Sequence, residues 1–147
     1  MHPSTLFQLA LMGLFVASIP LTMVWLSSDA NKYRKLVWVM AFLTFDLIVF
    51  GGFTRLTDSG LGCPDWPGCY GFIGVPMSEH KQTLAEARFP HAPVEVEKGW
   101  NEMVHRYFAG TLGLVILGLA VQALRRRAVD GQPVKLPLLL LGVVIAQ

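Results

Sequence analysis

Gly51-Gly52-Phe53-Thr54-Arg55-Leu56-Thr57-Asp58-Ser59-Gly60-Leu61-Gly62-Cys63-Pro64-Asp65-Trp66-Pro67-Gly68-Cys69-Tyr70-Gly71 closes one strongly apolar segment and carries both cysteines of the chain. Its glycines and its two prolines argue against a continuing helix and predict a compact, turn-rich cap. The natural partner of this cap lies across a loop, in Trp100-Asn101-Glu102-Met103-Val104-His105-Arg106-Tyr107, where another apolar segment opens. Cap and helix start are expected on the same side of a membrane.

The rest of the chain supports a membrane setting. It has 147 residues, of which 53% are hydrophobic, and its mean hydropathy is positive. That is too apolar for an ordinary small soluble domain. The apolar residues also fall in blocks, as spanning helices require. A net charge of +2, with dispersed basic residues, does not suit nucleic-acid binding. No phosphate-binding loop, nucleophile elbow or paired CxxC zinc site is present. The expected fold is an all-α integral membrane protein: a transmembrane helical bundle of three full spans and a truncated fourth, with a disulfide-capped extracytoplasmic loop.

The first apolar block, residues 6–26, is long enough to cross the hydrocarbon, with a kink at Pro20. No Lys or Arg precedes it, so it reads as a retained helix rather than a signal peptide. After a polar turn with Lys32, Arg34 and Lys35, the second block covers residues 36–53 and includes Asp46. An intramembrane carboxylate either packs in a bundle interior or handles protons, and the packing role is the plainer reading. The loop 54–101 is too long to be a simple connection. Within it, Ser78 and Glu79 predict the N-cap and first turn of a short helix ending near Arg88. The third block covers residues 102–124 and stops at Arg125-Arg126-Arg127. The fourth, residues 136–147, is about half a span, so the chain reads as the N-terminal part of a longer protein.

Basic residues set the expected topology. Residues 27–35 and 125–135 hold Lys32, Arg34, Lys35, Arg125, Arg126, Arg127 and Lys135, which places both turns in the cytoplasm. The loop 54–101 carries more acidic than basic residues and is expected outside, in the periplasm if the membrane is a bacterial inner membrane. Thiols are oxidised there. Cys63 and Cys69 therefore read as a structural disulfide, with a redox-active pair as the alternative. His80 and His91 lack zinc-finger spacing relative to the cysteines.

Glu102 and His105 are three residues apart and share a helix face with Ala109, Leu112 and Ile116. A polar pair at the mouth of an apolar stripe suits a flat macrocycle held edge-on, with His105 on iron. On spacing alone the plainer reading stands beside it. Glu102 follows Asn101, a good N-cap, and would then complement the helix dipole. Arg55 and Arg106 are either snorkelling residues or ligands for carboxylate groups.

The wording of the two motifs goes further. The run from Gly51 to Cys69, followed by Asn101-Glu102-Met103-Val104-His105-Arg106-Tyr107-Phe108-Ala109-Gly110, resembles the haem A synthase family of cytochrome oxidase assembly proteins. The resemblance covers about residues 51–118. It implies oxidation of a methyl group of haem O to a formyl group, giving haem A, with a bound haem b for electron transfer. His105 would be an axial ligand of the substrate haem, and Glu102 the carboxylate near the reacting group. Arg55 and Arg106 would bind the haem, and Cys63 and Cys69 would form the extracytoplasmic pair. Residues 36–147 would be part of the substrate-haem half, and residues 1–35 an added helix and turn. The haem b ligands and the second substrate-haem ligand would lie outside this chain.

Implied partners are haem O, membrane lipid, a haem O synthase and oxidase assembly factors, with no nucleic acid and a homo-oligomer left open. Two other functions compete: a quinone-linked periplasmic thiol-disulfide oxidoreductase, and a non-catalytic haem-delivery module.

Overall fold

In the computed structural model, residues 18–19, 21–28, 30–128 and 133–146 are described. Most of the first apolar block, including Pro20, lies outside them, so the expected first span is covered only by its helical end at residues 21–26. Four further helices follow: α1 Lys32–Leu56, α2 Glu79–Arg88, α3 Val96–Arg125 and α4 Lys135–Ala146. Among the described residues there is no β-strand, only an isolated bridge between Cys69 and Phe72.

Two helices, α1 with 25 residues and α3 with 30, are long and apolar enough to cross a membrane. At 1.5 Å per residue both exceed the roughly 30 Å hydrocarbon thickness. Only 6% of the apolar window of α1 and 39% of that of α3 is buried within the chain. Trp38, Phe42, Phe45, Ile48 and Val49 are all exposed on α1. An apolar helix uncovered by its own chain is stable only in lipid or against other helices. Both helices are therefore candidate membrane spans. The fourth apolar helix, α4, has 12 residues.

Two helix boundaries differ from expectation. Gly51 and Gly52 do not end α1, which runs on to Leu56. Two threonines continue its hydrogen bonding: Thr54 Oγ1 donates to Phe50 O at 2.8 Å, and Thr57 Oγ1 to Phe53 O at 2.9 Å. The helix ends where Asp58 takes φ 52° and Ser59 N returns to Thr54 O at 2.9 Å. Helix α3 begins at Val96, so Asn101 is inside it and is not its cap. Asn101 Nδ2 donates instead to the buried Ser59 hydroxyl at 3.2 Å, which ties α3 to the turn after α1. The short helix is where the sequence puts it. Ser78 is the N-cap of α2, with its hydroxyl accepting from Lys81 N.

The described chain forms two compact units, one including residues 46–108 and the other residues 18–45 and 109–146. The first has its own core: Cys63, Cys69, Tyr70, Val75, Ala85 and Met103 are buried together, with Phe72, Phe89, Val96 and Tyr107 packed against them. The second is centred on Val24, Leu36, Val115 and Leu119.

Candidate functional site

The cap between α1 and α3 folds around the Cys63–Cys69 disulfide, whose sulfurs belong to residues only 4% and 0% exposed. Backbone approaches are close throughout. A Cβ at Gly62 would lie 2.5 Å from the carbonyl carbon of Lys98, and one at Gly68 would collide with the carbonyl of Phe72. Glycine is needed at both positions so that the cap can lie against α3 and fold on itself. The Trp66–Pro67 peptide bond is cis. Tyr70, also buried, donates from its hydroxyl to Pro93 O at 2.7 Å, and burial pushes its phenol above the usual 10.0.

Helix α3 holds the cap with two side chains one turn apart. Glu102 is buried, and its Oε2 accepts from Cys63 N at 2.8 Å. Its other oxygen forms an ion pair with Arg106 Nη2. Arg106 Nη1 donates to Asp65 O at 2.7 Å and Gly68 O at 2.8 Å, both inside the disulfide-closed loop. Charge-assisted bonds of this kind are the stronger ones. The i, i+4 spacing places the pair on one side of α3, facing the cap. Sequence does not mark either group as an anchor, because their cap partners lie about 40 residues away in the chain.

His105 sits between these two residues in sequence but faces α1. Its ring centroid is 6.1 Å from that of Phe50. A Cβ on Gly51 would be 3.0 Å from His105 Nε2. The missing side chain at Gly51 therefore makes room for the imidazole. Among the described residues, His105 has no hydrogen-bond or ion-pair partner. It opens on a pocket of about 400 Å³ lined by Gly51, Thr54, Arg55, Asp58, Gly60, Leu61, Glu102, His105 and Arg106.

Arg55 is exposed on the rim of this pocket, and its guanidinium, among the described residues, makes no hydrogen bond or ion pair. Its guanidinium is thus available to a ligand, whereas that of Arg106 is taken by the cap. Lys98 and Asp58 add an ion pair at 3.6 Å on the same side. Of the expected apolar stripe, Leu112 and Ile116 are themselves buried. Asp46 borders a smaller crevice of about 220 Å³ with Leu47, Phe50, Val104 and Phe108. Among the described residues no three His, Cys, Asp or Glu side chains cluster as a metal site.

The chain matches the COX15-CtaA family, described as cytochrome oxidase assembly protein, over residues 34–147. It belongs to that family. Among relatives, a protein of Shewanella oneidensis named heme A synthase is 45% identical over 116 residues, 77% of this chain and 34% of the relative. Similarity extends to proteins of the same name from Rhizorhabdus wittichii, 34% identical over 70% of this chain and 33% of the relative. A third, from Caulobacter, is 32% identical over 80% of this chain and 38% of the relative. The chain thus spans about a third of the length of these COX15-CtaA relatives. No solved structure matches it.

Proposed function

We propose that the protein containing this chain makes haem A for cytochrome oxidase, by oxidising a methyl group of haem O to a formyl group. Family membership and relatives named heme A synthase support the reading. One structural observation carries it to residues: a half-buried imidazole with no protein partner, opening on a pocket with an unengaged arginine. An imidazole left open on a pocket is free to bind iron.

In this reading His105 is an axial ligand of the substrate haem, and Gly51 keeps the approach to Nε2 clear. Arg55 is the arginine placed to hold a haem carboxylate by charge-assisted hydrogen bonds. Arg106 is reassigned from haem binding to the cap, since its donors face Asp65, Gly68 and Glu102. Glu102 lines the pocket and holds the cap amide of Cys63, so the carboxylate near the reacting group is fixed in place by the same bonds that seat the cap. A carboxylate already held in place stabilises developing positive charge at little cost in reorganisation. Converting methyl to formyl removes four electrons and so needs an external oxidant. A haem b, when bound, would carry electrons, and its ligands are expected in the part of the relatives that this chain does not span.

The thiol-oxidoreductase alternative is disfavoured by burial. Thiol exchange requires access to a sulfur, and both cysteines lie in the core of the cap. The test is to purify the full-length protein with and without His105→Ala and to type extracted haem as B, O or A. The substitution should remove O and A while B is retained. Unchanged haem types would overturn the site. A pure delivery module is distinguished by Glu102→Ala, which it would tolerate and the synthase would not.

A further inference from the structure

The second unit contains a pocket of about 480 Å³ that the reaction does not use. It lies where the helical segment at residues 21–26 meets the start of α1 and the end of α3. Its walls include Val24, Trp25 and Leu36, and its rim Lys32, Arg125 and Arg126. Val24 and Leu36 also belong to the buried core there, so the pocket is built on packed helices. The charges stand at the very ends of the two spanning helices, because α1 begins at Lys32 and α3 ends at Arg125.

Each cation has a distinct situation. Lys32 Nζ donates to Trp25 O at 2.9 Å and to Ser27 O, closing the segment before it. The guanidiniums of Arg125 and Arg126 have no hydrogen bond or ion pair among the described residues, although both line the pocket. Two cationic side chains at one rim favour an anion there. Gly118 lies on the pocket wall about two helical turns deeper, and a Cβ there would meet nothing within 4 Å. An open, apolar groove thus runs inward from a dibasic rim. Trp25, 79% exposed, stands beside it as interfacial tryptophans do.

We propose that this pocket is a binding site for an anionic phospholipid. Arg125 and Arg126 hold the phosphate by charge-assisted hydrogen bonds, and an acyl chain lies in the groove over Gly118. The apolar groove favours a lipid over free phosphate, which has nothing to bury there. The inference rests on α1 and α3 crossing the membrane and is independent of the chemistry proposed at His105.

The experiment is native mass spectrometry of the full chain in detergent, titrated with phosphatidylglycerol, phosphatidylethanolamine or inorganic phosphate. Phosphatidylglycerol should be retained roughly tenfold to thirtyfold better than phosphatidylethanolamine, the share expected of two surface arginines. Arg125→Gln with Arg126→Gln should abolish that preference. Gly118→Leu should weaken retention of both lipids by filling the groove, and it improves helix propensity, so folding is preserved. Equal binding of the two lipids, or an unchanged preference in the double variant, would sink the proposal. So would displacement of the lipid by millimolar phosphate, which would make the site a phosphate site, or full retention of lipid by Gly118→Leu.

Discussion

At the residue scale the chain separates two arginines that look alike in sequence. Arg106 has its donors engaged by Glu102 and two cap carbonyls, and Arg55 has none engaged among the described residues. Arg106→Ala should therefore loosen the cap, whereas Arg55→Ala should leave it intact and weaken only haem retention. Losing hydrogen bonds to a charged group in this partly buried pair costs about 2 kcal/mol. Thermal unfolding and limited proteolysis within residues 57–95 would show the loss for Arg106→Ala and not for Arg55→Ala. Gly51 offers a complementary test. Gly51→Leu adds helix propensity of roughly 1 kcal/mol but puts a side chain where His105 Nε2 is reached. Helicity should be kept, and haem at the His105 site lost from the absorption spectrum. That Glu102 and His105 lie on one helix is legible in the sequence. Their different directions are not, because a three-residue spacing does not say which neighbour each side chain meets.

At the scale of elements, the cap is a small folded body, and its disulfide closes a short loop. On the chain-entropy account, a loop of this size contributes about 2 kcal/mol. Cys63→Ser should cost that much, measured as a shift in cap proteolysis, and should weaken the contacts of Arg106 with Asp65 and Gly68. Tyr70 adds a pH dependence. Its phenol is raised in the folded cap, chiefly by burial, so the stability it contributes is fully present below the ordinary 10.0 and is lost as pH rises through the folded value. Hydrogen exchange of the cap should accelerate above about pH 10 and much less so in Tyr70→Phe. That variant should itself cost about 1 kcal/mol for the lost bond to Pro93 O. Helix α2 was legible from Ser78 and Glu79, since N-capping is a local interaction. The ends of α1 and α3 were not. Gly51 and Asn101 have local preferences that the packing of the cap overrides.

For the whole molecule, the exposed apolar faces of α1 and α3 and the basic residues at one end predict an orientation. Ser28→Cys should be labelled by a membrane-impermeant thiol reagent only from the cytoplasmic side, and Glu79→Cys only from the other. Labelling of both from one side would overturn the topology and, with it, the periplasmic cap.

What the sequence determined by itself was local or compositional. The membrane class follows from the length and apolarity of the blocks, and the short helix from its cap. The placing of Glu102 and His105 about one turn apart on a helix follows from helical periodicity, and the cysteine pair from its turn-rich setting. The tertiary structure decided what each polar group faces. Glu102 and Arg106 turn to the cap because its backbone, about 40 residues distant, presents an amide and two carbonyls that need partners. His105 turns to α1 because Gly51 leaves space there. These are long-range contacts between segments whose proximity no local preference encodes, so only the folded chain shows them.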